Sequence, residues 1–192
     1  PLSPRRHHVH APQYNSVLRG KKSKSSRQFA RWYASCKGNQ YTTTLHIINS
    51  AISKLSQLTI ASTVWRGVSG GVLPREFWQP NEYNVRGGVE WAFLSCTADA
   101  SVAFSYASTR GAGIVFECQQ GMLSRGADLR WLSQYPFERE ILFAPLTGLE
   151  VSSTRVEGDT LVVSCRLSVN LSDDATDKVV SRRLCMLREM AS

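Results

Sequence analysis

Three short segments of this 192-residue chain carry side chains whose types and spacing could do chemistry. In Glu138-Arg139-Glu140, two carboxylates stand two residues apart at the head of an apolar run. Alternate residues of an extended chain point the same way, so both can enter one pocket while Arg139 faces elsewhere. Such a pair can divide labour: one carboxylate stays ionised while the other holds or activates a nucleophile. In Val64-Trp65-Arg66-Gly67, an arginine at the end of an apolar strand precedes a glycine and then Ser69-Gly70-Gly71. The guanidinium can grip an anion, and the glycines let a ligand approach the backbone closely. In Leu94-Ser95-Cys96-Thr97, two hydroxyls two apart would face one side of a strand end and Cys96 the other. Taken singly, each segment also has a plain structural reading. These are a solvated strand edge, an arginine before a glycine turn, and a helix cap by Thr97 with Ser95 bonded locally.

Other chemistries find less support. Beyond His7, His8 and His10, the only histidine is His46, inside a helical pattern and isolated from any serine or cysteine nucleophile. That disfavours a triad hydrolase. The five cysteines, Cys36, Cys96, Cys118, Cys165 and Cys185, show no zinc-knuckle or dithiol spacing. Cys96, Cys118 and Cys165 lie in apolar stretches and read as small buried hydrophobes, which suits a reducing compartment. No metal site is expected. No Gly-x-Gly-x-x-Gly stands at a strand–helix junction.

The elements that must position the three segments follow from periodicity. Residues 27–36 read as a helix with Phe29, Trp32, Tyr33 and Cys36 on one face. A second helix runs from Tyr41 to Leu58 on Leu45, Ile48, Ile52 and Leu55. Short β-type runs follow at 62–65, 90–94, 113–118, 140–143, 149–155 and 160–167, with a hairpin turn at Val156-Glu157-Gly158-Asp159. Residues 99–107 interrupt them as a helix capped by Thr97 or Asp99. Residues 70–88 read as loop, and 173–190 as a final helix. Helices first and strands after predict an α+β fold, with N-terminal helices packed on a mostly antiparallel two-sheet β core.

The net charge of +8 is unevenly distributed. Residues 1–39 hold nine Lys/Arg and no acidic residue; the other 14 basic residues stand against all 15 acidic ones. The body is near neutral, which disfavours a nucleic-acid-binding domain. Residues 1–26 read as a disordered basic leader, solvated or touching RNA or anionic lipid. No apolar run approaches a membrane span, and the N-terminus has no apolar core of a signal peptide. With Pro1 in place of an initiator methionine, the chain reads as a fragment or a processed form.

In this order and context the three segments resemble the Arg–Ser–Glu class of mono-ADP-ribosyltransferases, which includes arginine-specific enzymes and bacterial ADP-ribosylating toxins. The resemblance spans roughly residues 40–170. Its most specific stretch, 125–147, holds Tyr135-Pro136 before Glu-x-Glu and Pro145-Leu146 after it, as in intracellular protist and algal members of the arginine-specific branch. It implies a catalytic domain over 27–172, followed by a C-terminal helix or tail over 173–192. It implies NAD as co-substrate, with Arg66 gripping phosphate and ribose and the backbone at Gly67 meeting the nicotinamide amide. Ser95 would orient Arg66 and the catalytic Glu140. Cys96 and Thr97 replace the Thr and final Ser of the family's Ser-Thr-Ser, so Thr97 keeps a hydroxyl beside the NAD site. Glu138 would serve an arginine acceptor, with Trp131, Tyr135 and Phe137 contacting the acceptor protein. The implied activity is ADP-ribose transfer from NAD to a protein arginine, in the cytoplasm or as a secreted effector. An NAD glycohydrolase and a catalytically weak NAD-binding module are the alternatives.

Overall fold

The structure, a computed structural model, describes residues 11–20, 27–82, 84–133 and 136–168. Five α-helices and eight strands are formed among them. Helices α1 (Ala11–Arg19), α2 (Arg27–Ser35) and α3 (Thr42–Leu55) come first, and α3 ends in a 3-10 turn at Ser56–Leu58. Then follow β1 (Thr63–Ser69), α4 (Arg75–Trp78), β2 (Gly87–Glu90), β3 (Leu94–Thr97) and α5 (Ala100–Ala107). The chain continues through β4 (Gly113–Gln119), β5 (Ala127–Asp128), β6 (Glu140–Phe143), β7 (Thr147–Glu157) and β8 (Thr160–Ser168).

The strands form one sheet in the order β2-β7-β8-β4-β1-β3-β6-β5. Neighbours are antiparallel except β4 and β8. The expected division into two sheets is therefore corrected to one continuous sheet. Its halves meet between β1 and β3 through one residue pair among the described residues, Trp65 opposite Thr97.

Several boundaries also differ from the sequence reading. The apolar run at 62–65 continues through Arg66 and Gly67 to Ser69, because β4 pairs with β1 along its whole length. The run at 90–94 is two strand ends separated by a bend at Trp91-Ala92, which moves the chain from β2 to β3. Residues 70–88 hold α4 and the start of β2. The hairpin between β7 and β8 forms as expected, with Gly158 at φ 57° in the first turn position. The expected helix at 173–190 lies outside the described residues.

One face of the sheet carries Val64, Cys96, Phe116, Cys118, Ile141, Phe143 and Cys165, covered by Phe77 of α4. The three cysteines are free and buried, packed as apolar side chains. On the other face, α5 lays Ala103 and Ala107 over Val115 and Val162, with Trp65 alongside. Its approach is so close that a Cβ on Gly67 would overlap the Ala103 carbonyl oxygen, and one on Gly113 the Ala107 carbonyl. Helix α3 buries Ile52 against Phe93 and Ala127, with Leu142 at the margin. Cross-strand partners share a face, so Leu142 opposite Ser95 and Trp65 opposite Thr97 put α3 and α5 on the same side.

The basic leader was expected to be disordered, yet Ala11–Arg19 forms α1 and packs on α2. Arg19 makes a two-pronged bond to Glu90, at 3.1 and 3.0 Å, and lies 4.8 Å from the Phe29 ring centre. Asn15 Oδ1 accepts from the Phe93 amide at 3.3 Å. The bend between β2 and β3 gives these polar groups a target that composition does not reveal. Residues 1–10 and 21–26 lie outside the described residues.

The close α5 packing makes a checkable demand. Gly67→Ala should lower stability by about 1–3 kcal/mol, since the new methyl meets fixed backbone. Gly121→Ala, whose Cβ meets nothing nearer than 4.0 Å, should be nearly neutral. Thermal or urea unfolding of the two variants measures the contrast, and equal stabilities would refute the tight packing.

Candidate active site

A cleft opens where β1 and β3 part, beside α5. It is lined by Arg66 and Gly67 of β1, Ser95 and Thr97 of β3, Tyr106 of α5, and the two glutamates at the head of β6. Six of the expected residues, Arg66, Gly67, Ser95, Thr97, Glu138 and Glu140, thus converge on one site from segments separated by up to some 70 residues of chain.

Each position has a local cause. Strand alternation in β3 buries Leu94 and Cys96 in the core and turns Ser95 and Thr97 to the cleft. Cys96 therefore faces the core side, as expected. Ser95 Oγ donates to Glu140 Oε1 at 2.6 Å, a short charge-assisted bond. Arg66 Nη1 donates to the Ser95 carbonyl oxygen at 3.0 Å. Arg66 was expected at a strand end; it stands in mid-strand and reaches β3 across the gap.

Thr97 does something different from Ser95. Its hydroxyl donates to the Glu138 carbonyl oxygen at 2.7 Å and accepts from the Asp99 amide at 3.0 Å. It is buried and ties β3 to the backbone before β6. Asp99, not Thr97, caps α5, accepting from the Ser101 amide at 2.9 Å. Its bonds to the Ser101 hydroxyl and amide hold the Asp99 carboxyl below the usual carboxylate range.

The glutamates share the cleft for a reason other than the one expected. They are not alternate residues of one strand: Glu138 ends a 3-10 turn at Pro136–Glu138, and Glu140 begins β6. Between them Arg139 takes a left-handed φ of 46°, which non-glycine residues adopt at some cost. Its carbonyl accepts from the Ala98 amide at 3.0 Å. A kink, rather than a pleat, aims both carboxylates the same way.

Of the expected acceptor-side residues, Trp131 and Phe137 are largely solvent-exposed, at 69% and 70%. Neither lines the cleft. Tyr135 lies outside the described residues. Tyr106 was not expected. It stands one turn beyond Val102, and both line the cleft. Burial of Ala103 and Ala107 against the sheet directs that neighbouring stripe of α5 to the cleft. The signal was present in residues 99–107 as small residues beside a polar aromatic at helical spacing. Among the described residues, no group of three or more His, Cys, Asp or Glu is placed to hold a metal ion, and no helix is long and apolar enough to cross a membrane.

Residues 14–170 match the family described as NAD:arginine ADP-ribosyltransferase. The chain belongs to that family. The fold agrees. The ADP-ribosyltransferase HopU1 of Pseudomonas syringae superposes with a TM-score of 0.60 at 19% identity, covering 81% of this chain and 64% of that one. The Vis toxin of Vibrio splendidus gives 0.59 at 19% identity, covering 85% and 69%. An ADP-ribosyltransferase of Clostridium botulinum gives 0.51 at 13% identity, covering 82% and 80%. The chain thus spans just under two thirds of the HopU1 chain. No curated protein matches it.

The kink at Arg139 can be tested directly. Arg139→Gly should preserve the shared aim of Glu138 and Glu140, because glycine adopts the left-handed conformation freely. Arg139→Val should lose stability by about 1–3 kcal/mol and misalign the glutamates. Unfolding curves and NAD cleavage rates of the two variants check it. Equal behaviour would mean that the left-handed link does not set the site.

Proposed function

We propose that this protein transfers ADP-ribose from NAD to an arginine side chain of a protein, releasing nicotinamide. The observation that carries the reading is the Ser95–Glu140 bond inside a cleft that also holds Arg66 and Glu138.

Arg66 supplies the fixed positive group for the pyrophosphate, its planar fork suited to phosphate oxygens. Its bond to the Ser95 carbonyl restrains the guanidinium while other N–H groups remain to donate. The backbone at Gly67, which lines the cleft beside Arg66, meets the nicotinamide amide. Cleavage of the nicotinamide–ribose bond passes through an oxocarbenium-like state, as in other glycosidic cleavages. Glu140 accepts from the ribose hydroxyl and stabilises the developing charge. Ser95 holds one oxygen of Glu140, so the carboxylate is oriented before substrate arrives. Nicotinamide leaves as a neutral base. The electron pair of the broken C–N bond departs with it, and the acceptor nitrogen forms the new bond to the ribose carbon.

An arginine guanidinium is protonated and a weak nucleophile. Glu138 pairs with it, orients one nitrogen toward the ribose and takes the proton as the new bond forms. The family description and the Glu-x-Glu arrangement support an arginine acceptor. So does the complex of Vis with agmatine, a small guanidinium compound. Trp131 and Phe137, exposed on the segment leading to Glu138, offer apolar anchors to the acceptor protein. Among the described residues, four free buried cysteines suit action in a reducing compartment such as cytoplasm.

Glu140→Gln should reduce both transfer and acceptor-free NAD cleavage by about 100-fold or more, the scale of one lost electrostatic group, with the fold retained by circular dichroism. Near-wild-type cleavage would remove Glu140 from the chemistry. Glu138→Gln should lose transfer to agmatine far more than nicotinamide release. Labelled NAD with agmatine, run beside nicotinamide release without acceptor, measures both. Persistent transfer would end the arginine assignment, whereas a parallel loss of both activities would assign Glu138 to NAD binding.

A further inference from the structure

Glu138 has an aromatic neighbour across the cleft mouth. Tyr106 projects from α5 at the cleft mouth, with its hydroxyl 3.5 Å from Glu138 Oε1. The backbone beneath it is seated on the two glycine strands, where Gly67 and Gly113 admit the Ala103 and Ala107 carbonyls. Asp99 caps the same helix from the end nearest β3. Glu138 is held from the other side, its carbonyl accepting from Thr97 Oγ1. Two rigid elements thus present the phenol and the carboxylate to each other. The separation is at the long limit of a hydrogen bond, as catalytic contacts often are before substrate arrives.

Glu140 has Ser95 to fix its oxygen. For Glu138, the corresponding donor is the Tyr106 hydroxyl. Fixing Oε1 leaves Oε2 to meet an incoming cation. The Tyr106 residue is 57% exposed, so its ring is also accessible to a ligand. Guanidinium groups lie flat on aromatic faces more readily than ammonium groups do.

We propose that Tyr106 is a positioning and specificity-determining residue for a guanidinium acceptor: its hydroxyl fixes Glu138, and its ring forms the wall on which the acceptor's plane rests. The proposal rests on the arginine-acceptor reading above. Burial, and the Glu138 and Glu140 carboxylates, raise the phenol above its ordinary pKa. The hydroxyl therefore remains protonated, and able to donate, throughout the physiological range.

The test uses the whole chain with Tyr106→Phe, which keeps the ring, and Tyr106→Ala, which removes it. Three quantities are measured: the KM and kcat for agmatine, nicotinamide release without acceptor, and the alkaline titration of Tyr106 read as wild type minus Tyr106→Phe. Tyr106→Phe should lower the ratio of transfer to release about tenfold, the scale of one charge-assisted hydrogen bond at partial exposure. The change should fall mainly on the orientation-dependent kcat. Tyr106→Ala should also raise the agmatine KM. Glu138→Gln should shift the Tyr106 titration to lower pH, because the negative charge that raises it is gone. An unshifted titration would overturn the Tyr106–Glu138 contact. A loss of transfer and release in equal measure would place Tyr106 on the NAD side and overturn the acceptor role. If wild type releases nicotinamide but labels no guanidinium, the arginine reading fails and the specificity role falls with it. The titration shift would still distinguish that failure from a missing contact.

Discussion

The site depends on how little β1 and β3 touch. Two full-length neighbouring strands would pair along their length and close the sheet. Here, among the described residues, only Trp65 and Thr97 pair. β1 is committed to β4 through seven residues and β3 to β6 through four. The gap that results is bridged by side chains rather than by a ladder, notably Arg66 to the Ser95 carbonyl. An open seam inside a continuous sheet offers a ligand both backbone groups and side chains on a rigid floor.

The helices keep that seam open at a fixed width. α5 is pressed onto β1 and β4 where glycines remove the methyl groups that would push it away. α3 is held by aliphatic contacts on the far side of the same face. α1 holds the bend before β3 through Arg19, Glu90 and Asn15. Arg19 and Glu90 are both largely shielded, so their paired bonds are less screened than surface ion pairs. Each helix therefore acts on a strand that carries a residue of the cleft.

Within the cleft, the polar groups are arranged in two tiers. Ser95 holds Glu140, Thr97 holds the backbone of Glu138, and Asp99 holds the helix that bears Tyr106. β3 and the turn after it thus provide, from consecutive alternate positions, the support for both glutamates and for the wall opposite them. The replacement of serine by threonine at 97 is compatible with this, because the role is a hydroxyl bridging two backbone segments.

The candidate residues were legible in the sequence as three short segments whose order carries the family resemblance: Arg66-Gly67, Ser95-Cys96-Thr97 and Glu138-Arg139-Glu140. The burial of Cys96, the hairpin at Gly158 and the helices at 27–36 and 41–58 were equally local, set by alternation, turn chemistry and helical period. What the sequence left open was non-local. One sheet instead of two depends on a single long-range pair. The order seen in α1 depends on Glu90 and Phe93, more than 70 residues away. The shared aim of Glu138 and Glu140 depends on a left-handed Arg139, held by a bond to Ala98 that no local propensity encodes. Tyr106 joined the site only when the sheet decided which stripe of α5 is buried. Short-range spacing thus determined which groups could react, and packing between distant strands decided where each of them points.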